Sequence, residues 1–161
     1  RGLGDVYKRQ EYRKKGYLCL MVSASPSFYV KPLGELLGFD EVLGTDVLLE
    51  ERMPAMPKLP NGNNKGAVKV ERLRERNVLP EHGVLENAVA YSDSAADLPM
   101  LLSCRRRVLV NPSPALKEDR LLDGAECLYP ARPWKGRFGK IWRIGFFVMG
   151  LVDVNLSLIH I

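Results

Sequence analysis

Two aspartates four residues apart, Asp93 and Asp97, stand in the run Val89-Ala90-Tyr91-Ser92-Asp93-Ser94-Ala95-Ala96-Asp97-Leu98-Pro99-Met100-Leu101. The short apolar run Ala88 to Tyr91 reads as a buried strand that stops at the polar turn presenting the two acids. At the carboxyl end of a parallel strand, such a pair suits a hard, oxygen-seeking cation such as Mg²⁺. That ion takes few protein carboxylates and keeps water and phosphate as its other ligands. Spacing alone leaves a second reading open, in which Asp93 or Ser94 caps the helix that begins near Ala95.

A second turn carries anion chemistry. Ser23-Ala24-Ser25-Pro26 closes the apolar strand Tyr17 to Val22 and opens a helix, with Ser25 as the expected N-cap and Pro26 at the first helical position. Unpaired N–H groups at a helix start, beside a serine hydroxyl, favour phosphate. The same four residues also make an ordinary strand-to-helix cap. Lys65 and Lys69 lie four apart, and so on one face, at the head of a helix expected over Gly66 to Arg76. The plain alternative for either is a solvated surface lysine.

Taken together, these stretches resemble the haloacid dehalogenase superfamily of phosphatases, in its phosphoserine-phosphatase-like branch. The fourth motif there reads Gly-Asp-Ser-x-x-Asp-Leu-Pro-Met-Leu, with Ser92 here in the glycine's place, and the resemblance runs from about Glu11 to Pro112. It implies an α/β, Rossmann-like three-layer parallel sheet. It also implies a Mg²⁺-dependent phosphatase that acts on a small phosphorylated metabolite through an aspartyl-phosphate, and the cysteine usage, three with no Cys-x-x-Cys pair, fits a reducing cytoplasm. By this resemblance Asp93 and Asp97 bind the metal, and Ser23, Ala24 and Ser25 hold phosphate, Ser23 through its hydroxyl. A lysine neutralises the phosphate and the nucleophile. Aligning on Lys-Gly selects Lys65, while aligning on Lys-Val-x-Arg-Leu selects Lys69, which is preferred.

The family's nucleophile and acid/base group form an Asp-x-Asp pair on the first strand. No Asp-x-Asp occurs in this sequence. In the family that motif lies upstream of an inserted cap domain, so the chain reads as a fragment without its first, central strand and its cap domain. The fragment is expected to be inactive, with a gap or poorly packed seam between the strands Leu18 to Val22 and Ala88 to Tyr91. Substrate choice in the family rests largely on the cap domain, so the leaving group stays open.

Both ends are set aside from the fold. Residues 1–10 and 156–161 back-translate into the mosaic end of a transposase sequencing adapter, read from opposite strands, and neither is expected to fold. Residues 11–130 are left as the partial core domain, and 131–155 as a basic, aromatic segment read as helical. The formal charge is +5, and Arg1, Lys8 and Arg9 against Asp5 supply part of it, so basicity argues little for a nucleic-acid partner. Three cysteines with no Cys-x-x-Cys pair argue against a disulfide framework or zinc site. His82 is the only histidine outside the excluded ends, which disfavours a histidine-centred triad.

The elements that must position these residues follow from punctuation and periodicity. Glu11 to Gly16 reads as the end of a helix, with Gly16 as its left-handed stop. Pro32 should kink or restart the helix after Pro26, while Leu33, Leu36 and Leu37 turn to the sheet and Gly38 ends it. Phe39 to Thr45 reads as a strand, Asp46 to Glu50 as one arm of a hairpin, and Met53 to Asn64 as a loop. On the following helix Val70 and Leu73 face the sheet, and Lys69, Arg72, Arg74 and Glu75 mostly face outward. Arg107 to Val110 and Cys127 to Tyr129 are further strands, joined by a helix capped by Ser113 with Pro114 at its first position. From Trp134 onward, basic and aromatic residues interleave before the apolar Ile144 to Val152, a mixture suited to a membrane surface, or equally to a helix that covers the sheet or meets a neighbour. A non-catalytic phosphate-binding or membrane-associated module is therefore the alternative function.

Overall fold

Strands covered by helices on both faces must be apolar on both faces. Cys19–Pro26 (β1), Leu85–Ser92 (β3) and Cys104–Val110 (β4) carry such runs, with Cys19, Leu20, Met21 and Val22 all buried in succession. The computed structural model describes residues 11–49 and 58–129 and the backbone of residues 156–160. Helix α1 is described over residues 11–14. In chain order the remaining elements are β1, α2 (Ser27–Leu36), β2 (Glu41–Thr45), α3 (Ala67–Glu75), β3, a 3₁₀ turn at Ala95–Asp97, α4 (Leu98–Leu102), β4, α5 (Pro114–Lys117), a 3₁₀ turn at Arg120–Leu122, β5 (Glu126–Leu128) and β6 (Leu156–His160).

The sheet order is β2-β1-β6-β3-β4-β5. β1 runs parallel to β2, and β3, β4 and β5 are mutually parallel, while β6 is antiparallel to both of its neighbours. Two strands antiparallel to the same third strand are parallel to each other, so the carboxyl ends of β1 to β5 lie along one edge. The pleat then sorts the core. Leu20, Val22, Ala88 and Ala90 meet Val70 and Leu73 of α3, Met100 and Leu101 of α4, and Leu116 of α5. On the opposite face Cys19 and Met21 meet Val30 of α2 and Phe39, and Tyr12 packs against both this cluster and that of Val89, Tyr91 and Val108. The architecture is the expected three-layer, Rossmann-like α/β arrangement.

Gly16 has φ +82° and Gly38 φ +75°, and both close helices as read from the sequence. Ser113 accepts from the Leu116 N–H as the cap of α5, with Pro114 at its start. Among the described residues no helix is long and apolar enough to cross a membrane, and the segment 131–155 lies outside them.

Several expectations are corrected. β1 continues through Pro26, which occupies the N-cap position without a side-chain cap; Ser25 does not cap because it is buried within the end of the strand. Pro32 sits inside an uninterrupted α2. Its missing N–H falls opposite the carbonyl of the half-exposed Phe28, where solvent can serve instead. The sheet-facing stripe of α2 is Ser27, Val30 and Gly34, and Leu36 is 84% exposed. A Cβ at Gly34 would lie 2.3 Å from Val42 Cγ2, so the smallest face of the helix is the one that can lie on β2. Residues 46–49 form no strand; one bond, Leu48 N–H to Lys58 carbonyl at 3.1 Å, joins the two sides of that loop. Lys69, expected outward, is buried.

The expected seam between β1 and β3 is filled. β6 pairs with β1 from Cys19↔His160 to Ser23↔Leu156 and with β3 from Val89↔His160 to Tyr91↔Leu158. Residues 156–160, expected not to fold, thus form the sixth strand, the antiparallel one in an otherwise parallel sheet. The physical reason is the demand of two inner edges for hydrogen-bond partners, which any extended five-residue backbone can meet.

Candidate functional site

The first wall of the site is the carboxyl end of β1. Val22 is in register with Leu43 and Pro26 with Thr45, so β1 spends four steps where β2 spends two. The extra residues bulge across Ser23 to Ser25 and leave carbonyls that the ladder cannot pair. Side chains supply the donors. Asn64 Nδ2 donates to the Ser23 carbonyl and to the Leu43 carbonyl, both at 3.0 Å, and Thr45 Oγ1 donates to the Ala24 carbonyl at 2.7 Å. Thr45 Oγ1 in turn accepts from the Asn64 N–H at 3.0 Å. Within the bulge, Ser23 Oγ accepts from the Ser25 N–H at 3.1 Å. Among the described residues nothing accepts the Ser23 hydroxyl hydrogen.

The second wall is the head of α3. Gly66, at φ +60°, turns the chain into the helix, and a Cβ there would lie 3.6 Å from the Ala96 carbonyl, so the helix start rests on the loop after β3. No acid sits in the first turn of α3, and Lys69 stands near it. The helix dipole and the ammonium therefore place like-signed positive charge at one spot, which is favourable only for an anion.

Lys69 is 1% exposed and Asp97 2% exposed, and Lys69 Nζ lies 2.7 Å from Asp97 Oδ1. The other carboxylate oxygen, Asp97 Oδ2, accepts from Ser92 Oγ at 2.7 Å. Burial pushes the Lys69 ammonium below its ordinary pKa, and the Asp97 carboxylate beside it, with a smaller contribution from Asp93, opposes that shift. A buried pair of this kind is held by geometry and extra hydrogen bonds rather than by a net gain over water. Lys65, by contrast, is exposed. Asp93 is also exposed at the rim of the same loop, and Ser94 accepts from the Ala96 N–H as the cap of the 3₁₀ turn. The capping alternative thus falls to Ser94.

These features meet at one edge of the sheet: the Ser23–Ser25 bulge, the lysine-bearing head of α3, and the acidic loop. The family comparison fits that placement. A family profile described as haloacid dehalogenase-like hydrolase matches residues 6–102. The chain belongs to that family. It is 36% identical over 124 residues to the "Inhibition of morphological differentiation protein" of Streptomyces azureus, an alignment covering 77% of this chain and 44% of that protein. It is 30% identical over 122 residues to a "Probable phosphatase" of Mycobacterium tuberculosis, covering 71% of this chain and 39% of that one. The chain therefore spans less than half the length of these relatives. A crystal structure of a protein of unknown function from Bordetella pertussis Tohama I superposes with a TM-score of 0.63 at 26% identity, covering 77% of this chain and 56% of that one.

As a haloacid dehalogenase-like hydrolase, the chain offers a cation only part of a ligand set. Among the described residues no cluster of three histidine, cysteine or acidic side chains could hold a metal ion. Asp93 has the donor type and exposure for one hard-cation ligand, while both oxygens of Asp97 already serve Lys69 and Ser92. One carboxylate, with phosphate oxygens and water, is a set Mg²⁺ accepts.

Sequence reasoning missed Thr45 and Asn64. Both are buried, at 3% and 0% exposure, yet they occur in stretches that read only as a strand end and a polar loop. The sequence showed Ser92 only as standing in the family glycine's place, whereas its hydroxyl donates to Asp97 Oδ2 and accepts from the Ser94 N–H at 3.1 Å.

Proposed function

We propose that this chain belongs to a Mg²⁺-dependent phosphatase of a small phosphate monoester, working through an aspartyl-phosphate. The buried Lys69–Asp97 pair carries the reading, because a desolvated ammonium beside a helix start and a serine-lined bulge is an arrangement an oxyanion would occupy. Ser23 would donate its hydroxyl to a phosphoryl oxygen, and the Ser23–Ser25 backbone would shape that subsite. Lys69, rather than the exposed Lys65, would neutralise phosphate charge, with Asp97 orienting the ammonium. Asp93 would ligate the cation, which when bound supplies Lewis-acid polarisation of the phosphoryl group.

The nucleophile has no candidate here, since the sequence contains no Asp-x-Asp pair, and the 161-residue chain alone should hydrolyse nothing. The test is turnover of p-nitrophenyl phosphate, with and without Mg²⁺, by a form carrying an Asp-x-Asp first strand. Turnover that ignores the metal, or none with that strand present, would reject the reading.

A further inference from the structure

We infer that Thr45 and Asn64 are positioning residues that fix the phosphate-binding bulge against the helix bearing Lys69. This inference rests on the reading of Ser23 to Ser25 as a phosphate subsite, and assigns it a support that the sequence motifs do not contain.

Three segments that share no local contact in sequence converge on these two side chains. Asn64 joins the carbonyl ends of β1 and β2 through its Nδ2, and its own backbone N–H reaches Thr45 Oγ1. Thr45 passes the connection to the Ala24 carbonyl. Asn64 stands three residues before α3, so a shift of the bulge is transmitted to the helix start, and from there to Lys69. A bulge otherwise free to slide in register is locked by three hydrogen bonds to two of its carbonyls and the neighbouring strand.

The amide of Asn64 also has a distinctive imbalance. Its two donors are spent on carbonyls, which fixes its orientation, because a flipped amide would set Oδ1 against those same carbonyls. Among the described residues Oδ1 is then a buried acceptor with no hydrogen-bond partner. An unsatisfied buried acceptor is a stability cost, and such costs are retained most readily where a site needs the geometry that creates them. Asn64 is thus chosen for its donors, at the expense of its acceptor.

The experiment uses the whole 161-residue chain and inorganic phosphate, followed by amide chemical shifts. In the unmodified chain, phosphate should shift the Ser23 and Ser25 amides together with those of residues 65–69. Thr45→Val keeps the shape and removes the hydroxyl, and with it both the bond to the Ala24 carbonyl and the bond from the Asn64 N–H; it should raise the phosphate Kd about tenfold or more and break the joint response. Thr45→Ser should return the Kd to within about twofold. Asn64→Ser, with one donor in place of two, serves as a milder second variant and should raise Kd by about threefold or more. Urea unfolding of each variant reports folding separately. Equal Kd in the folded Thr45→Val and Asn64→Ser chains would overturn the inference while leaving the subsite standing. No shift at Ser23 and Ser25 in the unmodified chain would remove the subsite itself, and this inference with it.

Discussion

Lys69 Nζ and Asp97 Oδ1 sit 2.7 Å apart with both side chains closed to solvent, one on α3 and the other on the turn after β3. Removing one partner of such a pair strands the other as a buried charge. Lys69→Met should therefore cost about 3–5 kcal/mol in urea unfolding, whereas Lys69→Met combined with Asp97→Leu should recover most of that loss. A double variant no more stable than Lys69→Met would show that the pair is not what determines the energetics of this contact.

Asp93 differs from Asp97 in being exposed and at the rim of the loop. In a form that carries the Asp-x-Asp strand, Asp93→Asn should lower Mg²⁺-dependent hydrolysis of an aryl phosphate about a hundredfold or more, by removing one charged ligand from a site with few. Undiminished turnover would take Asp93 out of the site.

Ser23 Oγ accepts from the Ser25 N–H, and its own hydroxyl hydrogen, which nothing among the described residues accepts, is left to serve a phosphoryl oxygen. Ser23→Ala should weaken inorganic phosphate binding by about 1.5–3 kcal/mol, the range of one charge-assisted hydrogen bond. An unchanged Kd would leave Ser23 with the bulge's internal bond as its whole role.

The motif residues were legible because they are fixed by local order: strand, turn, acid, helix. Their partners were not. Helical periodicity turned Lys69 outward with its charged neighbours, since a rule that sorts by polarity has no way to expect a desolvated ammonium. What buries it is Asp97, 28 positions later, together with the packing of the α3 start, entered through Gly66 at φ +60°, on the loop after β3. Thr45 and Asn64 were hidden for the same reason, because their significance lies in carbonyls freed by a bulge that no sequence period reveals. The α2 face was misread because Leu33, Leu36 and Leu37 outrank Ser27 and Gly34 in hydrophobicity, although only the small residues allow close packing on β2.

Asp46, just past β2, gives a pH prediction. Its carboxylate accepts from Asn61 Nδ2 at 3.0 Å and Ser27 Oγ at 2.9 Å, with Arg72 at 3.3 Å, and the Asn61 bond foremost holds it below the usual carboxylate pKa. The folded value lies below the unfolded one, so the native state binds fewer protons in between. Its stabilisation is full above the unfolded aspartate value of about 3.9 and is lost as pH falls through the folded value. Asp46→Asn should flatten the acid limb of stability below about pH 4. Parallel limbs for the two chains in urea unfolding at several pH values would refute this role.

β6 supplies the last prediction. It occupies the slot between β1 and β3, pairing with five residues of one and three of the other. Without it the two strands would present unpaired N–H and C=O groups in the dry centre of the sheet, each a costly desolvated group. The backbone alone makes these bonds, so the slot is defined by the edges of β1 and β3 and is open to another strand. A chain ending at Asn155 should lose cooperative unfolding and associate through those edges, while the 161-residue chain should unfold in one transition. Adding in trans a peptide that carries an Asp-x-Asp strand should restore order to the shortened chain, detectable as recovered near-UV circular dichroism and a monomeric elution volume. A shortened chain that is monomeric and unfolds sharply by itself would show that the centre of the sheet does not depend on a strand in this slot.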